Sequence, residues 1–305
     1  MKKLYWKAVL ILALLAGMAF ALEYPPGLSY STVLNGIKMR PSEGALRLDN
    51  IQATFLPDGA EGYTVLRKAD GEKNYRFDWK TQLIQAPYSL LDEYKCTDLR
   101  NNQQCTPGFV SLKEPGNYVL DFYAADGLFY TFPFAVSKLA GSDPFAGGDA
   151  YFLEGDWSKY GYLFYSGANP EQSLIWKVWL RNKAIEREKD VKVRVEIIRD
   201  KDKKLICTSR EGETKTLNHE WVRYEFDMIF PMEKTSYGQY FKAKDLLAVD
   251  GAYTLTMKID DKPYGTWKFS VTGGKLNYTG RTDRGKADPL TFIEGGRDAW
   301  WYGKQ

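Results

Sequence analysis

The sequence predicts an all-β protein: two tandem antiparallel β-sandwiches that follow a cleaved signal peptide. Three observations predict it. A 21-residue ladder occurs twice, period-two alternation recurs through the rest of the chain, and the N-terminus carries a short apolar segment behind basic residues.

The ladder comes first. "GNYVLDFYAADGLFYTFPFAV" (Gly116 to Val136) aligns without a gap on "GAYTLTMKIDDKPYGTWKFSV" (Gly251 to Val271). Gly116/Gly251, Tyr118/Tyr253, Leu120/Leu255, Asp126/Asp261, Thr131/Thr266, Phe134/Phe269 and Val136/Val271 are identical. Phe122/Met257 and Phe132/Trp267 keep apolar character. Spacing of two puts the apolar residues of each arm on one face, and the segments between the arms are turn chemistry. Each copy is therefore expected to be a β-hairpin, and its recurrence marks two copies of one domain type.

In "EPGNYVL" and "VDGAYTL" a glycine precedes tyrosine by two positions and an apolar residue follows it by two. This resembles the entry to strand F of immunoglobulin-like and fibronectin III-like sandwiches. There a tyrosine corner bonds back to the upstream backbone. The resemblance implies that Tyr118 and Tyr253 are such corners, with Leu120 and Leu255 in the core. It implies a fold and carries no function with it.

Other strands follow from alternation. "YRFDW" turns Tyr75, Phe77 and Trp79 to one side, and "VKVRVEI" sets Val191, Val193, Val195 and Ile197 against charged neighbours. "VRYEFDMIF" does the same with Val222, Tyr224, Phe226 and Met228. "RDKDKK", Arg199 to Lys204, reads as a solvated hairpin turn. "RNKAIEREKD" is a short helical candidate, and one helical turn is expected in "YGQYFKAKDLLAVDG". Glycine, proline and aspartate concentrate between the two copies. The expected division is a signal peptide at 1–21, a first sandwich at 22–140, a linker at 141–150, a second sandwich at 151–275 and an aromatic tail at 276–305.

The N-terminus reads as an export signal: "MKKLYWK", then an apolar run, then Ala19-Phe20-Ala21 before Leu22. The uncharged run is shorter than the roughly 20 residues of a spanning helix, so no integral membrane segment is expected after cleavage. The chain has 42 basic and 39 acidic residues, but Lys2, Lys3 and Lys7 leave with the signal, and the remainder balances. No basic surplus remains for nucleic acid. The expected address is the periplasm, cell surface or exterior of a bacterium.

An oxidising compartment lets Cys96 and Cys105 join across the polar loop "TDLRNNQQ". A metal site there would lack a histidine or a third cysteine nearby. Cys207 alternates with Leu205 and reads as a buried thiol.

Chemistry is sparse. His219 is the sole histidine, directly before an alternating strand, and no G-x-S-x-G nucleophile motif occurs. A histidine zinc site is excluded by count, the cysteines form no C-x-x-C pair, and no cofactor fingerprint appears. A glycosidase carboxylate pair is not singled out by any spacing. The candidate binding residues are aromatic: Trp157, Tyr160 and Trp179, and Phe292, Trp300, Trp301 and Tyr302 of the tail; for Trp179 the favoured expectation is that it covers an inter-domain contact or packs under the tail. A fainter repeat joins Phe152–Tyr162 to Phe292–Gly303, and the first copy is expected to open the second domain. The tail is expected either to dock on its own domain or to add to an edge of a neighbouring copy.

Three functions follow in order. The first is a non-catalytic structural, assembly or protein-binding role among envelope or extracellular proteins. The second is a pair of carbohydrate-binding modules that use exposed aromatics on polysaccharide. The third is a sandwich-fold hydrolase.

Overall fold

The structure, a computed structural model, describes residues 27–28, 30–54, 56–86, 88–106, 109–124, 127–140, 148–182, 188–231, 239–277 and 299–305. The export signal with Leu22, residues 183–187 of the "RNKAIEREKD" candidate and Phe292 lie outside the described residues. Among the described residues, no helix is long and apolar enough to cross a membrane. The protein is built mostly of antiparallel β-strands, as expected.

The first half runs β1 (Gly27–Leu28), helix α1 (Tyr30–Gly36), β2 (Ile37–Arg40), β3 (Ala45–Leu48), β4 (Gln52–Thr54) and β5 (Glu61–Lys68). It continues with β6 (Lys73–Gln85), β7 (Tyr88–Asp98), β8 (Gln103–Cys105), β9 (Phe109–Ser111), β10 (Gly116–Ala124), β11 (Gly127–Leu139) and β12 (Ala150–Glu154). The second half runs β13 (Tyr160–Phe164), β14 (Ile175–Leu180), β15 (Lys189–Arg199), β16 (Lys204–Thr208), β17 (Thr214–Leu217) and β18 (Val222–Asp227). Helix α2 (Ala243–Leu247) is the single turn expected before β19 (Gly251–Ile259), and β20 (Lys262–Thr272), β21 (Lys275–Asn277) and β22 (Ala299–Gly303) follow.

Each half has a small and a large sheet. In the first, β2-β3-β9 faces the sheet β1-β4-β7-β6-β5-β10-β11-β12, with β8 added on β7. In the second, β18-β14-β13-β22 faces β16-β15-β19-β20-β21, with β17 also on β15. No described strand of one half joins a sheet of the other. In the first half Met39, Leu46 and Val110 of the small sheet share one buried cluster with Leu66, Phe77 and Leu120 of the large one. In the second, Trp176 and Phe226 share a cluster with Val195, Leu255 and Phe269.

The two halves follow one path. The series β2, β3, β5, β6, β9, β10, β11, β12 traces the same route as β13, β14, β15, β16, β18, β19, β20, β21. The repeated ladders occupy equivalent places. Gly116 lies opposite Val136 and Gly251 opposite Val271. Both hairpins slip register at the aligned position, after Phe122 and after Met257. Asp260 and Asp261 both have positive φ (49° and 60°), the left-handed pair that a two-residue hairpin turn demands. The tyrosine bonds expected at the ladder entries are formed. Tyr118 Oη donates to the Glu114 carbonyl at 2.8 Å and Tyr253 Oη to the Val249 carbonyl at 2.6 Å, each four residues upstream. Each ring also stacks on its cross-strand phenylalanine, Phe134 and Phe269.

The junction differs from the expected boundary. A second domain starting at 151 would claim the strand that in fact pairs with β11, Ala135 opposite Glu154 and Leu139 opposite Ala150. Residues 150–154 thus finish the first unit, and the second opens at β13. Tyr151, Phe152 and Leu153 are all buried, because the first core covers one face of β12 and the second unit the other. The connection is only the 3-10 turn Asp156–Lys159 and Gly155. A Cβ on Gly155 would come within 2.1 Å of the Trp157 ring, so only glycine fits there.

The tail docks on its own chain. β22 pairs antiparallel with β13, Tyr160 opposite Gly303 and Gly161 opposite Tyr302, so the two Tyr-Gly copies of the faint repeat lie side by side. Gln305 N then donates to the Thr266 carbonyl of β20 at 2.8 Å, which carries the tail from one sheet to the other. The edge of β13 that could have accepted a neighbour's strand is occupied within the chain.

If each tyrosine hydroxyl does the same work in its unit, Tyr118→Phe and Tyr253→Phe should each cost about 1 kcal/mol in equilibrium unfolding, the usual net value of one such bond. Loss in one variant alone would mean that the two ladders are not equivalent.

Candidate functional site

A cleft lies in the first unit, where the chain crosses between its two sheets. β3 leaves the small sheet, Asp49 and Asn50 make the crossing, and β4 joins the large sheet beside β7. Asp49 N donates to the Gly36 carbonyl at 2.7 Å, and Leu91 N to the Ile51 carbonyl at 2.9 Å, which pins both ends of the crossing. Asn50 has φ 55°, a left-handed conformation that asparagine tolerates better than most residues. The opening beside this crossing has a volume of about 260 Å3. Its polar wall is Arg47, Asp49, Asn50, Gln82, Asp92 and Glu93, and leucines supply the apolar remainder.

Glu93 reaches the cleft because of a bulge. On β7, Leu91 and Cys96 are both buried although five positions apart, an odd interval that a regular strand cannot satisfy. The extra residue is Tyr94, since Glu93 pairs with Trp79 and Lys95 with Asp78. The bulge throws Tyr94 into solvent and leaves Glu93 on the inward side between Leu91 and Cys96.

As a residue Glu93 is half-buried, and its Oε2 is closed off from water with no hydrogen-bond partner. Burial pushes this carboxyl up to about 8, and the negative charges of Asp49 and Asp92 push the same way. Arg47 already pairs with Asp49 at 3.0 Å. A cleft with one strongly perturbed carboxyl beside two others is a recognised marker of a functional site.

The sequence-derived candidates are placed as follows. Cys96 and Cys105 are joined, Cα–Cα 4.9 Å, and clamp β7 to β8. Cys207 is a buried free thiol, pushed well up by that burial and so a poor nucleophile. Trp157 is buried, stacked on Phe132 at 5.7 Å and edge-on to Trp221. Trp179 is buried beside Tyr162, and Tyr302 is buried beside Phe269. Tyr160 is half-buried. Trp300 and Trp301 pair through their backbone with Leu163 and Tyr162.

An exposed sugar-stacking row built on Trp157, Trp179 and Tyr302 is therefore not formed. Both faces of β14 and of the junction are covered, a second layer that alternation along one strand cannot reveal. His219 lies in the crevice between the units with Lys38, Phe152 and Trp221, a space of about 10 Å3 that is no larger than one water requires.

Glu93, Asp49 and Asp92 were not singled out from the sequence, though the odd Leu91–Cys96 interval was available as a signal. Among the described residues, no three histidine, cysteine or carboxylate side chains are grouped to hold a metal ion.

Exposed apolar residues gather on the hairpin that forms the outer part of this cleft. Leu83 (48% exposed) and Ile84 (51%) end β6, and Tyr94 (57%) sits on β7. Ile84 is itself a bulge residue, since Leu83 pairs with Ser89 and Gln85 with Tyr88. The hairpin base is anchored by Thr81, whose Oγ1 donates to the Pro57 carbonyl, and by Asp58, which accepts from Leu83 N at 2.8 Å.

Compared with family models, with curated proteins and with solved structures, the chain has no match.

The Glu93 shift has a definite sign. Unfolded, the group loses its proton near 4.5, and folded it keeps it to about 8. The folded state holds the extra proton between these limits, so the stability associated with it is complete below pH 4.5 and is lost as pH rises through 8. Glu93→Gln should remove this decline and be the more stable protein above pH 8, by a few kcal/mol and about 5 at most at 1.36 kcal/mol per pKa unit. Denaturant unfolding from pH 5 to 9 reads it, and parallel profiles would mean that Glu93 ionises normally.

Proposed function

We propose that this is a non-catalytic, exported binding protein of the bacterial envelope or exterior, built of two tandem immunoglobulin-like β-sandwiches. The strand path supports the fold reading. With β2, β3 and β9 taken as strands A, B and E, and β5, β6, β10 and β11 as C, C′, F and G, the first unit has the order of a fibronectin III-like sandwich, and the second repeats it. The ladder-entry tyrosines then occupy the tyrosine-corner position of strand F. Export is supported by the N-terminal signal pattern and by the Cys96–Cys105 bond, which suits an oxidising compartment.

One observation carries the functional reading. The first unit departs from the shared plan chiefly in its long β6–β7 hairpin, of 13 and 11 residues where β16 has five. This added element holds adjacent exposed apolar side chains, Leu83 and Ile84, on an anchored bulge. Exposed apolar residues on a rigid projection are a feature of protein contact surfaces. The burial of Trp157, Trp179 and Tyr302 weighs against the carbohydrate-binding alternative.

The mature protein, used as bait in its own envelope extract, should retain a protein partner, and the double variant Leu83→Asp/Ile84→Asp should lose it at least tenfold while keeping the same thermal midpoint. Equal retention by both proteins, or retention of polysaccharide alone, would contradict the reading.

A further inference from the structure

The cleft at Glu93 has chemistry that the hairpin contact does not use. Its carboxylates come from two directions: Asp49 from the crossing after β3, and Asp92 and Glu93 from β7. The opposing cation in the wall is Arg47, committed to Asp49 at 3.0 Å with its side chain half exposed. β6 adds neutral Gln82 to the wall, and Lys80 stands across from Asp92 in the ladder. Asp92 is exposed, and Glu93 lines the same opening with one of its two carboxyl oxygens, Oε2, shut off from water and without a hydrogen-bond partner. Such an unpaired buried acceptor is costly unless something satisfies it.

We propose that this cleft takes up one guanidinium or ammonium group from a basic segment of a partner protein, held by the Asp92 and Glu93 carboxylates. The inference rests on the protein-binding reading and names the chemistry of the partner. Size and lining favour an organic cation. About 260 Å3 accommodates a side-chain head group, and Leu48, Leu90 and Leu91 supply an apolar flank for its methylene stem. Arg47 on Asp49 shows that a planar guanidinium already sits well in this wall. A bare divalent ion would need a convergent set of oxygen ligands, and among the described residues no group of three is so placed.

Proton balance follows. At neutral pH Glu93 carries a proton, since burial and its acidic neighbours hold it up to about 8. The arriving cation makes the carboxylate the favoured form, and the proton leaves to the buffer. The interaction therefore tightens as pH rises, by roughly tenfold per unit below 8 and little above it.

Calorimetry on the full mature chain tests this with acetyl-Gly-Arg-Gly-amide as probe, its citrulline counterpart as the neutral isostere, and calcium chloride alone. Run in two buffers of different ionisation enthalpy, the arginine peptide should bind with release approaching one proton at pH 6–7. It should gain on the order of 50- to 100-fold in affinity from pH 6 to 9. Glu93→Gln should abolish both the release and the pH dependence.

Binding with equal strength by the citrulline peptide, binding without proton release, or proton release on calcium alone would each overturn the proposal. So would no binding at about 10 mM, a dissociation constant equivalent to less than about 3 kcal/mol. Wild-type proton release decides the matter even if the variant folds poorly. Loss of peptide binding with retained hairpin-dependent capture refutes the cleft alone, and the converse refutes the hairpin.

Discussion

The arrangement of the molecule depends on one buried cation at the junction. Arg181, just past β14, has a side chain only 3% exposed, and its guanidinium meets Glu154 Oε1 at 2.5 Å. Glu154 is the last residue of β12, so the pair ties the final strand of the first unit to the second. The rings of Phe152 and Trp221 flank the guanidinium at 5.0 and 4.9 Å. Trp221 Nε1 also donates to the Leu153 carbonyl at 2.8 Å. Burial lowers the hold of Arg181 on its proton, and the Glu154 charge offsets this only in part. Removing Glu154 should cost up to about 3–5 kcal/mol, because the Arg181 charge is then stranded away from water. Beside it, Trp157 is wholly buried, worth about 4–6 kcal/mol of transfer free energy as an upper bound. Domains joined by a five-residue connection and this much burial have little freedom to swing.

A fixed junction gives the remaining features a direction. The cleft and the β6–β7 hairpin belong to the first unit, while the described strands of the second repeat the plan without such a hairpin. Its own unusual feature is the tail, which covers the β13 edge. Open edge strands invite pairing with other chains, and covering one in cis is a known protection. On the proposed protein-binding reading, the second unit is a support with the β13 edge covered, and the first is the part that makes contact.

Where one face of a strand is wet, the sequence was legible. The ladders, the β15 alternation, the turn after Arg199 and the α2 turn all lie where period and turn chemistry place them, because solvent on one side enforces the pattern. Legibility failed where both faces are dry. Tyr151, Phe152 and Leu153 carry no alternation, so nothing along the chain shows that β12 completes the first unit. Trp179 lies on the opposite face from Trp176, and the first unit covers it, the inter-domain contact expected of it in preference to an exposed binding face. The candidate site was hidden for a different reason. Asp49, Asp92 and Glu93 become neighbours only through a sheet crossing and a bulge, and of these only the bulge leaves a trace, in the odd interval from Leu91 to Cys96.

The central claim is that two like domains form one rigid body. Residual dipolar couplings of backbone amides from both units, measured in a weakly aligning medium, test it most directly. A single alignment tensor should fit the couplings of residues 30–154 and 160–277 together, with the orientation that the Glu154–Arg181 pair imposes. Two tensors of different magnitude would show domains that reorient independently, and would contradict the account.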